Sequence, residues 1–191
     1  MRFALLLTTL MTSVLFISGC SHIVGAASET PIAQDPKQRS LGAALDDEKI
    51  EIATLVNLRK ASPLLENANI SVTSFNGIVL LTGQVQATDM KALAGEETRK
   101  VNRVREVHNE LAIQGNSSVL TSTSDTWLTS KVKTKMMADM NLDSGRVKIV
   151  TESGVVYLMG LLTRKEANRA AEIARTTGGV QKVVKVVEYI D

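Results

Sequence analysis

The chain has 191 residues, with 22 Lys and Arg against 20 Asp and Glu, a net charge of +2, and only one Cys and one Trp. So even a balance excludes the strong basic field that non-specific nucleic-acid binding needs. With 3% aromatic residues, any core must be built from Val, Ile, Leu, Ala and Met, and the length suffices for one ordinary domain or two small ones.

Arg2 supplies a short positive start, and Phe3 to Ile17 form an uncharged, mostly apolar run. Such an order describes a secretory signal, and the run is short for a membrane-spanning helix, which needs roughly 20 apolar residues. Ile17-Ser18-Gly19-Cys20 then resembles the lipobox of bacterial lipoproteins, with Ile where Leu is usual. An exported chain with one cysteine cannot form an internal disulfide, so lipidation of Cys20 is the economical reading. Several acyl chains on one residue hold a membrane stably, whereas a single one does so marginally. Ser21, in place of Asp, favours the outer membrane by resemblance to lipoprotein sorting rules. Residues 1–19 are therefore expected to be a signal peptide. Residues 20–45, mixed in Ala, Ser, Pro, Gln and charge, are expected to form a lipidated, flexible tether.

Beyond the tether the chain repeats itself. Ile78-Val79-Leu80-Leu81-Thr82-Gly83 parallels Val155-Val156-Tyr157-Leu158-Met159-Gly160, and Asn76-Gly77 parallels Ser153-Gly154 at the same offset. A long repeat in two copies signals a duplicated domain rather than a solenoid. Each copy opens on a predicted helix, Asp47–Lys60 and Asp125–Met140, with Asp46 or Asp47 and Ser124 or Asp125 as N-caps. Two strands follow, joined by a tight turn at Asn-Gly or Ser-Gly, where both central residues need positive φ. An Ala-rich helix comes next, Thr88–Lys100 and Thr163–Arg175, the second opened by a Thr163/Glu166 capping box. A Val-rich strand closes each copy, Glu106–Ile113 and Val180–Ile190. The order αββαβ is an α+β unit, a three-stranded mixed sheet packed on two helices. The boundaries expected are 46–114 and 125–191, joined by a polar linker over 115–124.

This order, the Gly77–Gly83 segment with its counterpart Gly154–Gly160, and the closing Val104–Leu111 and Gly179–Val187 segments resemble the BON domain. Lys185 stands where the first copy has Asn109, so no role is carried from one to the other. Two such domains behind a lipobox imply a periplasm-facing, outer-membrane lipoprotein that binds phospholipid and supports the outer-membrane barrier without catalysis.

The residues themselves offer no active site. His22 and His108 are isolated from other metal ligands, and Asp46-Asp47-Glu48 and Glu96-Glu97 read as cap and solvated helix face. No cofactor is implied. Gly83 and Gly160, at matching strand ends, read as structural, tolerating positive φ or close approach of another backbone. The informative stretch is the first helix of the second copy. At 100° per residue Leu128, Val132, Met136 and Met140 form one stripe that should face the sheet. Trp127 falls off it, beside Lys131 and near Thr134 and Lys135, with Ser130 flanking and Lys133 towards the other edge. An outward indole among lysines suits a membrane–water interface. The expected lipid-binding set is Trp127, Ser130, Lys131, Lys133, Thr134 and Lys135, and the expected partner is an anionic phospholipid membrane, rich in phosphatidylglycerol or cardiolipin. A second reading is an adaptor for other envelope proteins. The first copy's opening helix carries Ile52 and Val56 as an extra apolar side, expected to meet the second domain.

Overall fold

The computed structural model describes residues 39–114 and 119–191, with backbone alone at 119–123. Cys20 and the signal and tether residues up to 38 lie outside the described residues.

The first helix, α1, spans Leu41–Ala61 and is capped by Ser40, whose side chain accepts from the Ala43 amide. It thus begins inside the stretch expected to be tether, and Asp47 is no N-cap. Asp47 instead sits buried one and a half turns into the helix, where its carboxylate accepts from Ser74 Oγ (2.6 Å) and from the amides of Asn76 (2.7 Å) and Gly77 (2.8 Å). The acidic residue therefore clamps the tight turn of the hairpin. Pro63–Glu66 form the one-turn α2. Strands β1 (Asn69–Phe75) and β2 (Ile78–Val85) pair antiparallel, and Asn76 and Gly77 both have positive φ at their turn, +52° and +76°. Helix α3 (Thr88–Arg99) crosses back so that β3 (Glu106–Asn109) lies parallel to β2. The closing strand expected over Glu106–Ile113 is interrupted: β4 is only Ala112–Ile113, again on β2. At the break, Asn109 donates to the Lys91 carbonyl of α3 (2.7 Å) and Leu111 turns its side chain into the core.

The second unit repeats the plan. Helix α4 runs Val119–Met137, so no break separates a linker from a helix start at Asp125. Asp125 takes the role of Asp47, accepting from the amides of Ser153 (2.6 Å) and Gly154 (2.9 Å). A short 3-10 turn, Ser144–Arg146, leads into β5 (Lys148–Glu152), which pairs antiparallel with β6 (Val155–Leu162). Helix α5 (Arg164–Arg175) carries the Thr163/Glu166 capping box in full, and β7 (Lys182–Tyr189) runs parallel to β6 without interruption.

Alternation along the central strands decides how the units meet. Val79 and Leu81 of β2 join Ile50, Leu58 and Ala94 in one helix-side core, and Val156 and Leu158 of β6 join Leu128, Val132, Met136 and Ala170 in the other. The opposite faces supply Ile78 and Leu80, and Tyr157, Met159 and Val186, to a third core between the two sheets. The arrangement is four layers, helices–sheet–sheet–helices, which is why β2 is buried at every position. Polar contacts lock the rim. Arg105 forks onto Glu188 through two 2.8 Å bonds, Asn76 donates to Glu188 (2.7 Å), and Gln84 donates to Glu152 (2.7 Å). Burial, aided by Glu110 and Glu152, pushes the Tyr157 phenol up to about 12, so it stays neutral in this seam. Ile52 and Val56 do not meet the second domain as expected; the sheets do, and both residues face outward.

Gly83 and Gly160 stand inside β2 and β6 rather than at strand ends, opposite the strands that precede them. At Gly83 φ is +109°, and a Cβ there would run into the Asn69 carbonyl; at Gly160 it would meet the Arg146 carbonyl.

Candidate functional site

Helix α4 lies on its sheet through Asp125, Leu128, Val132 and Met136, all buried. The face turned away carries Trp127, Ser130, Thr134 and Met137, and Trp127 is 60% exposed. Lys131, one turn on from Trp127, places Nζ 4.5 Å from the indole centroid, a cation–π contact. The same ammonium donates to the Gly178 carbonyl (3.0 Å), and Lys135 Nζ donates to the Thr176 carbonyl (3.2 Å). Both carbonyls belong to the segment that ends α5, where the helix dipole attracts cations. The two lysines are thus held on one flank of the indole. An ammonium has three donors, so one carbonyl each leaves capacity for a phosphate.

The hydroxyls act differently. Ser130 donates to the Thr126 carbonyl (3.1 Å) and Thr134 to the Ser130 carbonyl (2.9 Å), so their protons serve the helix itself. Lys133 is not brought to this face. Its ammonium is on the other edge, donating to the Ser144 carbonyl and to the Val147 carbonyl (3.1 Å). Met140, expected in the buried stripe, is 99% exposed, because the helix ends at Met137 and the chain turns away. Met137 was not anticipated as part of the face. Its spacing, three residues beyond Thr134 and seven beyond Ser130, is the helical signal that marks it. The result is an outward patch of indole and thioether edged by two fixed cations.

Elsewhere chemistry is sparse. His108 pairs with Glu106 on β3 (3.0 Å). Among the described residues, no group of three or more His, Cys, Asp or Glu could hold a metal, and no helix is long and apolar enough to cross a membrane.

The family model described as BON domain matches residues 46–115 and again 124–191. The chain belongs to the BON domain family. It is 37% identical over 187 residues to the outer membrane lipoprotein DolP of Haemophilus influenzae, covering 97% of this chain and 96% of that one. It is also 37% identical over 152 residues to the 21 kDa hemolysin of Actinobacillus pleuropneumoniae, covering 80% and 78% of the two chains. The osmotically-inducible protein Y of Escherichia coli is 29% identical over 152 residues, with 78% and 75% covered. The protein is accordingly an outer-membrane lipoprotein with two BON domains. The α4 patch belongs to BON domain 2. The corresponding outer face of α1 in BON domain 1 has no Trp–Lys pair; it carries Leu41, Leu45, Ile52 and Val56 instead.

Proposed function

We propose that BON domain 2 binds anionic phospholipid through the outward face of α4 and that this binding supports outer-membrane integrity, with Cys20 carrying the lipid anchor and no catalysis or cofactor involved. Residues 1–19 serve as signal peptide. The observation that carries the reading is Trp127 held outward beneath the Lys131 ammonium, with Lys135 on the same flank. An indole at headgroup depth and lysines against phosphate are the pairing a membrane interface favours. Each such lysine contributes about 1 kcal/mol, and with a partly inserted indole the face reaches ~3–5 kcal/mol, which corresponds to roughly millimolar affinity. For a free protein that is weak. For one already anchored at the same membrane, high effective concentration makes it sufficient: the anchor gives residence and the helix gives choice of lipid.

Co-sedimentation of the unlipidated chain with vesicles of phosphatidylglycerol, cardiolipin or neutral lipid tests it. Binding should require anionic lipid, fall on Lys131→Glu, and lose that dependence as salt screens the charge. Equal binding to neutral vesicles, or none to either, would move the adaptor reading to the front.

A further inference from the structure

The outer face of α1 has no partner among the described residues. Leu41 (87% exposed), Leu45, Ile52 (57%) and Val56 stand in one stripe on the side opposite the buried Ile50, Thr54 and Leu58. The stripe occupies the outermost layer, on the far side of the sandwich from α4, so the bilayer that α4 would touch cannot cover it. Leu41, Leu45, Ile52 and Val56 step by four, seven and four, which keeps them on one helix face. Glu48 and Lys49 lie about 50° to either side of the stripe's centre at 100° per residue. Both are exposed, and neither engages another described residue.

We propose that this stripe pairs with the same stripe of a second copy of the chain, the two α1 helices running parallel. Symmetry selects the direction. When two identical helices pair in parallel about a two-fold along their length, one flank of each faces the opposite flank of the other at the same height. Glu48 then meets Lys49 of the second copy, twice, while Leu41, Leu45 and Ile52 each meet their own counterpart. In the antiparallel arrangement like flanks face, bringing Glu48 to Glu48 and Lys49 to Lys49. A single helix seam is small beside the 1,200–2,000 Å² of a stable soluble interface, so the pairing belongs to the membrane-anchored protein, where anchoring raises effective concentration. The pairing places the two α4 faces on opposite outer sides of the dimer, so one of them at a time can rest on the bilayer that anchors both copies.

The test is disulfide crosslinking of the full lipidated chain in outer membranes, with single cysteines introduced along α1 and the unaltered chain as background. Leu41→Cys, Leu45→Cys and Ile52→Cys should each give a homodimer band, and Glu66→Cys, exposed on α2, should not. Adding Lys49→Glu or Glu48→Lys to Leu45→Cys should abolish most of the band, and combining both reversals should restore it. Trp127→Glu should leave the band intact, which separates failure of the lipid reading from failure of this one. Crosslinking as strong from Glu66→Cys as from the stripe, a band only to a different protein, or a charge swap that fails to restore pairing would each overturn the proposal.

Discussion

Replacing Asp47 by Ala should be among the most damaging single changes in BON domain 1, and the size can be worked from its contacts. The carboxylate is 2% exposed and accepts from Ser74 Oγ, Asn76 N and Gly77 N at 2.6, 2.7 and 2.8 Å. Hydrogen bonds to a charged group contribute about 1.5–3 kcal/mol each, and a buried donor left without a partner costs about as much. The acceptor also holds Asn76 at positive φ, a conformation that costs a non-glycine residue roughly 1 kcal/mol. Allowing for non-additivity and for water reaching the turn, Asp47→Ala should cost ~4–6 kcal/mol, a large share of the ~5–15 kcal/mol of a whole domain. Asp125→Ala removes two bonds to described residues, at 2.6 and 2.9 Å, and should cost about 3–4 kcal/mol. Urea unfolding followed by circular dichroism measures both, and Asp47→Asn, which keeps one acceptor, should fall between wild type and Asp47→Ala. An Asp47→Ala midpoint close to wild type, or a smaller loss than for Asp125→Ala, would refute the view that these residues act as turn clamps rather than helix caps.

Other outcomes follow from the same contacts. Gly83→Val should destabilise BON domain 1 by at least ~2–3 kcal/mol in the same assay, since φ is +109° and the side chain meets the Asn69 carbonyl. The Arg105 bonds hold the Glu188 carboxyl below its ordinary value of 4.5. That contribution is therefore present above the ordinary value and is lost as pH falls through the lowered one. Arg105→Ala should lower stability at neutral pH and make it fall less steeply with acid, so that its unfolding midpoints converge on those of wild type as pH drops below the ordinary value. Both partners are partly exposed, so the effect stays within about 1 kcal/mol. Cys20→Ser should abolish lipid labelling of the chain and its firm membrane attachment, measured by fractionation and radiolabelled fatty acid.

How far the sequence discloses this molecule varies with the kind of signal. The αββαβ order, both hairpin turns and the capping box at Thr163 were legible because each rests on local chemistry: positive φ at Asn-Gly, helical spacing of Ala, Thr three residues before Glu. The helix starts misled because Asp47 and Asp125 look like N-caps, while the residues they serve, in the hairpin turns, lie far along the chain. Burial of Asp is favourable only with those distant donors in place, which no local window reveals. The sheet-to-sheet interface was written in the unbroken apolar runs at Ile78–Leu81 and Val155–Met159. An alternating strand has one buried face and a continuous run has two, a signal that outweighs the apolar but outward Ile52 and Val56. At the α4 face, helical periodicity sufficed to place Trp127, Lys131 and Lys135 together. It did not show that Lys133 is drawn to the Ser144 and Val147 carbonyls, since that loop comes close only through tertiary packing.

Trp127 is the chain's single tryptophan, so its own fluorescence reports on the central claim without labels. Emission of the unlipidated chain should lie at the wavelength of a hydrated indole. On adding vesicles containing phosphatidylglycerol or cardiolipin it should shift to the blue, with a much smaller shift for neutral lipid and a loss of the shift in Lys131→Glu at low salt. An emission that is already blue without lipid and indifferent to anionic vesicles would contradict the account, making Trp127 a packing residue and α4 an ordinary outer helix.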